Sequence, residues 1–363
     1  MTDHRMHWVI DLTATSSATP GLNMWAQGLV RGIAASEAAR DRWTAVGTGA
    51  FPPLLRASAE AAGVRVVTPR GHRLAVQHLG LPALADRLHA DGLLAASTVL
   101  PALPGAPPAV AVLHDFRHRD EPHRYGRAQR RYRDLFYGQA VRSSTRLVAI
   151  SEATRAAAER EAPGAAARTS VAHHGSDHVL DWPRPPRGTH AVAFGHWPNK
   201  EPRAAVEAWA RADPARTAGR LLHVIGLDDA ARFDLAAFGR AHGADERLRL
   251  HGRLGDQEFR ALFASAALLL FPSSHEGLGL PVLEAMRLRI PVVSSSLPAV
   301  REVAADAVWY ATPGNVPAFA SAVSRALAAS EDDLDAAERR ASSYTWAACA
   351  TTVREALAAA SAG

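Results

Sequence analysis

Short apolar runs alternate with helix-forming segments along most of the chain, break at one proline- and arginine-rich stretch, and then begin again. Before the break, HWVIDL (7–12), WTAVGT (43–48), VRVVTP (64–69), AVAVLHD (109–115), RLVAIS (146–151) and SVAHHG (170–175) read as strands. Helical segments at Leu22–Ala38, Tyr125–Val141 and Glu152–Glu161 fall between them. The break is DWPRPPRGT (181–189), where clustered prolines end regular structure. After it, HAVAFG (190–195), RLLHVIG (220–226), RLRLHG (247–252), ALLLFPS (267–273) and PVVSS (291–295) read as strands. Helices at 202–212, 256–266 and 281–288 interleave with them. Strands separated by helices build parallel sheets covered on both faces. The expectation is therefore an α/β chain of two doubly wound, Rossmann-like domains, 1–185 and 186–344, facing a central cleft. Ligands of such sheets sit beyond the carboxyl ends of the strands.

Composition narrows the class. A chain of 363 residues that is 48% hydrophobic is long enough for two cores and too apolar for wholesale disorder. No apolar run approaches the ~18 residues of a spanning helix, and MTDHRMHWVIDL lacks the apolar core of a secretory signal. The expected location is cytoplasmic. Cys349 is the single cysteine, which excludes an intrachain disulfide and argues against a cysteine-based zinc site. Seventeen histidines show no compact metal-ligand spacing, so no metal site and no cofactor is expected. Of the 41 basic side chains one is lysine, Lys200. Arginine fills the generic surface roles, so the surviving lysine is either an accident of composition or a site residue.

The segment FPSSHEGLGLPVLEAMRLRIPVV carries most of the chemistry. A buried strand ends at Phe271–Pro272, a loop holds Glu276, Gly277 and Gly279, and Pro281 stands where a first helical residue is favoured. Backbone amides of 277–280 then point from a helix N-terminus, a geometry that binds anions, and glycine permits close approach of phosphate. Glu284 is expected in or near the first turn. Carboxylates are poor phosphate ligands and good acceptors for sugar hydroxyls. The pattern thus reads as diphosphate on the amides and hydroxyls on Glu276 and Glu284; the plainer reading is a capped helix with dipole-compensating glutamates.

Here the chain resembles the retaining nucleotide-sugar glycosyltransferases of the group-one (family-four) class, which have the GT-B fold. EGLGLPVLEAM is similar to their Glu-x7-Glu motif. AFGHWPNKEPRAAVEAW is similar to the opening of their second domain, and LHGRLGDQEFRALFASA to the following βα unit. SSSLPAVREVAADAVWYATPG, LVAISEATRAAAER, VAHHGSD and LHDFRH have counterparts in the same order. The likeness is strong over 146–325 and weaker before 105. It implies that Glu276 contacts the donor hexose near its reacting centre. Gly195 and the backbone of Gly277, Leu278, Gly279 and Leu280 would border the donor, and Glu284 would hold ribose hydroxyls. Arg253 and Leu254 would border the base, and Lys200 would neutralise the diphosphate. His114, at a strand end, would touch the donor sugar; its plainer role is to brace the turn with Asp115. Two departures stand out. His196 follows Gly195 where the family often has arginine, which leaves Arg203 as the candidate second cation. The N-terminal loop offers Gly21 alone where paired glycines are usual, so Gly21 and Asp115 are the acceptor-side candidates.

The implied activity is metal-independent transfer of a hexose from a nucleotide diphosphate sugar, UDP- or GDP-linked, to an acceptor hydroxyl with retention. A nucleotide-sugar epimerase, a sugar phosphorylase and a non-catalytic sugar-nucleotide or polyanion binder are the competing readings. Residues 117–134 hold seven arginines against Asp120, Glu121 and Asp134. Tyr125, Ala128, Tyr132 and Leu135 recur at helical spacing, which predicts an apolar face opposite the arginines. The stretch reads as a solvated arginine face, a site for an anionic acceptor, or a peripheral contact with the inner face of an anionic membrane. No nucleic-acid motif accompanies it. The tail 345–363 is expected to be an amphipathic helix that rejoins the first domain.

Overall fold

The computed structural model describes residues 5–16, 19–49, 51–101 and 107–362. Met1–His4, the start of the segment read above for a secretory signal, and Gly363 lie outside them. The chain forms two compact units. One holds the chain up to Gly175 together with the chain from Tyr344 on, and the other spans Ser176–Ser343.

The first unit contains β1 (His7–Asp11), β2 (Arg42–Val46), β3 (Arg65–Val67), β4 (Gly92–Ala95), β5 (Ala109–Leu113), β6 (Arg146–Ala149) and β7 (Thr169–Val171). They form one parallel sheet in the order β3-β2-β1-β4-β5-β6-β7. The second contains β8 (Ala191–Phe194), β9 (Leu222–Ile225), β10 (Leu248–Leu250), β11 (Leu268–Phe271), β12 (Val292–Ser295) and β13 (Trp309–Ala311). Their order is β10-β9-β8-β11-β12-β13, also parallel. Strands such as WVI, AVAVL and LLLF are apolar throughout because helices bury both faces of the sheet. β4 and β13, absent from the sequence reading, complete the two sheets.

The unit division falls ahead of the proline-rich stretch, which was the expected boundary. Trp182 explains the difference: it is buried, with its ring 5.8 Å from both Phe259 and Phe263. Ser176 Oγ also donates to the Ala341 carbonyl at 2.8 Å. These contacts attach residues 176–182 to the second unit.

The last helix, Trp346–Ser361, packs in the first unit against the Pro20–Ala34 helix. Trp346 is fully buried and stacks on His174 at 5.4 Å. Space for its indole comes from glycine: a Cβ on Gly28 would lie 2.1 Å from Trp346 Cε2. Arg354 Nε then pairs with Asp41 Oδ2 at 2.7 Å, an oxygen that Trp8 Nε1 also reaches at 2.8 Å.

The arginine-rich helix runs Arg127–Ser143 and buries Gly138, Ala140 and Val141. The apolar face expected from Tyr125, Ala128, Tyr132 and Leu135 does not form. Tyr125 precedes the helix, Ala128 is exposed, and Leu135 is 61% exposed. Ala140 and Val141 instead join the core formed by Ala111, Leu113, Leu147 and Ala149. No helix among the described residues is long and apolar enough to cross a membrane.

Two substitutions test the docking of the last helix. Trp346→Ala leaves an indole-sized void and is expected to cost about 3–5 kcal/mol. Gly28→Ala overpacks the same contact and is expected to cost about 1–3 kcal/mol. Urea unfolding followed by tryptophan fluorescence and circular dichroism measures both; wild-type midpoints would refute the packing account.

Candidate functional site

A sheet wound both ways from its middle opens a crevice at the carboxyl ends of the two strands where the winding reverses. In the second unit those strands are the neighbours β8 and β11. After β8 the chain passes Gly195, where a Cβ would meet Leu227 Cδ2 at 2.4 Å. A side chain there would have to displace Leu227 in the loop that follows β9. A single 3-10 turn, Pro198–Lys200, comes next. Asn199 stitches it to the loop after β11: its Nδ2 donates to the His275 carbonyl at 2.9 Å, and its own carbonyl accepts from the Ser274 amide at 2.8 Å.

That stitching brings Lys200 and Glu276 together. Lys200 Nζ donates to Glu276 Oε1 at 2.7 Å, and both side chains are about one-tenth exposed, at 9% and 12%. The ammonium also lies 4.7 Å from the centroid of the Phe271 ring. Beneath them, the buried Ser273 hydroxyl has no hydrogen-bond partner among the described residues.

The glycine loop then enters the Leu280–Arg287 helix. Gly279 is left-handed, with φ of 96°, and a Cβ there would lie 3.0 Å from Val300 Cγ2. Leu278 is buried and anchors the loop, while Gly277 and Leu280 are half-buried. No side chain caps this N-terminus and no acid sits in its first turn. Its dipole is therefore uncompensated, as an anion site requires. Glu284, expected in or near the first turn, lies in the second. It is buried, and His178 Nε2 lies 2.9 Å from its Oε1. An ionised carboxylate only accepts, so His178 donates. Sequence reading missed His178; its signal was a histidine just ahead of the second strand series, with no motif to mark it.

Arg203 is not brought into this group. Its guanidinium pairs with Asp234 at 2.7 Å and lies over the Phe238 ring at 5.2 Å. The helix from Pro202 turns Arg203 toward the Asp229–Ala241 helix, so a second phosphate cation at this position is not what the geometry presents. Arg253 is exposed and Leu254 half-buried in the turn after β10.

In the first unit, His114 and Asp115 follow β5. His114 Nε2 lies 2.8 Å from the Ala96 carbonyl just after β4, and its ring meets Trp25 edge-on at 5.4 Å. Burial holds its pKa below the ordinary histidine value, so the imidazole is neutral near pH 7. Asp115 Oδ1 accepts from the Arg117 amide at 3.0 Å, a turn-bracing bond. Gly21 is exposed in the first helical turn, and a Cβ there would touch nothing within 4 Å. Packing gives no reason for glycine at that position.

Comparison with known proteins follows from this geometry. Residues 188–329 match the family described as Glycosyl transferases group 1. A stretch of 132 residues is 33% identical to O-antigen chain mannosyltransferase B of Escherichia coli, covering 35% of this chain and 33% of that protein. Another of 120 residues is 31% identical to alpha-D-kanosaminyltransferase of Streptomyces kanamyceticus, covering 32% of this chain and 30% of that protein. The chain thus spans about a third of the length of these curated relatives. Among solved structures, Anabaena HepE in complex with UDP and glucose superposes with a TM-score of 0.73 at 18% identity, covering 98% of this chain and 100% of that one. WaaG, a glycosyltransferase involved in lipopolysaccharide biosynthesis, superposes at 0.61 and 16% identity, covering 93% and 95%. The fold is GT-B.

The buried ion pair makes a double-mutant prediction. Lys200→Met strands a buried carboxylate and is expected to destabilise by about 3–5 kcal/mol. Lys200→Met with Glu276→Gln removes both charges and should recover most of that loss. Equal destabilisation of the single and double variants in urea unfolding would contradict a tightly coupled pair.

Proposed function

We propose that the protein is a retaining glycosyltransferase that moves a hexose-type sugar from a nucleotide diphosphate sugar, UDP- or GDP-linked, to an acceptor hydroxyl without a metal ion. The carrying observation is the Lys200–Glu276 contact at the β8/β11 strand ends, beside an uncapped helix N-terminus entered through Gly279. The group-one match over the same unit supports the reading, as do the relatives with transferase names and the neighbour holding UDP and glucose.

The chemistry follows from charge. Departure of a nucleoside diphosphate develops negative charge on its terminal phosphate oxygen. A compact ammonium and the positive end of the helix dipole stabilise that charge. Lys200 must exchange part of its hold on Glu276 for the phosphate, which leaves the Glu276 carboxylate to accept hydroxyls of the sugar. In this reading the leaving phosphate takes the proton of the attacking hydroxyl on the same face, so no side chain acts as nucleophile. Glu284, fixed by His178, holds ribose hydroxyls. The carboxylates and the ammonium divide the work: two orient, one stabilises charge.

A thermal-shift panel with UDP, GDP, dTDP, ADP and CDP tests the donor assignment. One nucleotide at about 100 times its dissociation constant should add about 2.7 kcal/mol. Lys200→Ala, measured against its own ligand-free midpoint, should lose that shift. Glu284→Ala should weaken nucleotide binding about 10- to 100-fold, the worth of hydrogen bonds to a charged group, whereas Glu276→Ala should mainly lower turnover. No shift with any nucleotide would remove the reading.

A further inference from the structure

Two guanidinium groups of the arginine-rich stretch lie over the Tyr125 ring, Arg133 and, at 5.7 Å from the centroid, Arg117. Arg119 pairs with Asp134 at 3.1 Å and with Glu161 at 3.0 Å, and Arg124 with Glu121 at 3.3 Å. Arg133 has no carboxylate partner among the described residues. Instead its guanidinium lies over two rings, 4.9 Å from the Tyr125 centroid and 5.7 Å from that of Tyr137. Its Nη1 is 3.5 Å from the Tyr125 hydroxyl, and Arg117 Nε donates to that same oxygen at 2.6 Å. Two guanidinium groups therefore converge on one phenol oxygen.

The carboxylate beside Arg133 in sequence, Asp134, is held by another arginine, Arg119. Asp115 Oδ1 accepts the Arg117 amide. His118 is buried beside the tyrosines, its ring 5.1 Å from that of Tyr137, and Nε2 stands 3.6 Å from Asp134, outside hydrogen-bond reach. Burial and then Arg133 push its pKa down to about 4, so it adds no charge near pH 7. Arg133, Tyr125 and Tyr137 are half-buried, so the cluster is neither a sealed core nor a solvated face. A planar cation held on aromatic faces keeps its in-plane donors for a planar or tetrahedral oxyanion.

We propose that Arg133, with Arg117 and the Tyr125 hydroxyl, forms a phosphate-binding subsite of the first unit that takes the phosphate of the acceptor. The inference rests on the transferase reading above, which gives the first unit the acceptor. The shared chemistry is a phosphoryl group; its source is either a soluble sugar phosphate or a lipid headgroup.

Inorganic phosphate is the first probe, titrated by calorimetry into the full chain. Arg133→Ala is expected to weaken phosphate binding about tenfold or more, and Arg133→Lys to an intermediate degree, since it keeps the charge without the stacked fork. Tyr125→Phe keeps the ring and loses only the hydroxyl contact, so its loss should be smaller. Circular dichroism confirms that each variant folds. The nucleotide shifts of Arg133→Ala should equal those of the parent. A parent that binds phosphate through Arg133 but binds no nucleotide would uphold the anion site and remove the transferase reading. Flotation with phosphatidylglycerol–phosphatidylcholine vesicles, against phosphatidylcholine alone, distinguishes the sources. Arg133-dependent binding to the anionic vesicles assigns the headgroup; Arg133-dependent binding of free phosphate alone assigns a soluble acceptor. Phosphate and vesicle binding that are unchanged in Arg133→Ala, or phosphate binding lost only in Lys200→Ala, would overturn the proposal.

Discussion

A charge can stay buried only where something answers it, and the second unit answers Lys200 with Glu276 at the place where the sheet changes its winding. Parallel strands joined by crossovers leave that place open by construction. The β8 exit and the β11 exit meet there because Asn199 binds both. Each remaining feature of the site serves this meeting. Gly195 lets the first loop pass Leu227, and Gly279 takes a backbone angle that a side chain would resist. Leu278 anchors the loop between them. The helix that follows begins without a side-chain cap, and its Val282 amide turns back to the Gly279 carbonyl at 2.9 Å. The site is an open electrostatic problem set within a closed packing solution.

The first unit shows the same economy in its packing. Its last helix arrives from the far end of the chain, yet it docks through the largest side chain available, Trp346, against the smallest, Gly28 and Gly32. A Cβ at Gly32 would lie 2.0 Å from the Trp346 carbonyl oxygen. Glycine in a helix interior costs about 0.5–1 kcal/mol relative to alanine. Burying an indole contributes more than that, so close approach wins. The ion pair of Arg354 with Asp41 then fixes register rather than supplying most of the energy, because Arg354 is partly exposed.

Legibility in the sequence tracked local signal. Long apolar runs such as AVAVL and LLLF announced their strands, and the restart after the proline-rich stretch announced two sheets. GLLA and WYA did not announce β4 and β13: each is three or four residues long, and tertiary pairing rather than pattern makes them strands. Proline content placed the boundary too late, since Trp182 sits among those prolines and packs into the second unit. The glycine loop, Lys200 and Glu276 were each legible because the residue types themselves carry the chemistry; that Lys200 rests on Glu276 was not. The side-chain directions were not. Spacing placed Arg203 near the phosphate cation, but a helix turn aims it at Asp234. Spacing placed Glu284 at the helix end, but it is one turn in and held by His178. Helical periodicity drew an apolar face through Leu135, whereas Ala140 and Val141 are the residues that join the core of β5 and β6.

Lysine and arginine divide the labour in this chain along physical lines. A lysine ammonium is a compact, strongly hydrated point charge, and its burial requires a close counter-charge. Lys200 therefore rests on Glu276. Arg133 is a delocalised, weakly hydrated plane that aromatic rings can hold without an acid. It needs no resting partner and gives none up when an oxyanion docks. A chain whose other basic side chains are all arginine has its single lysine at a position where the charge is both buried and answered by a carboxylate.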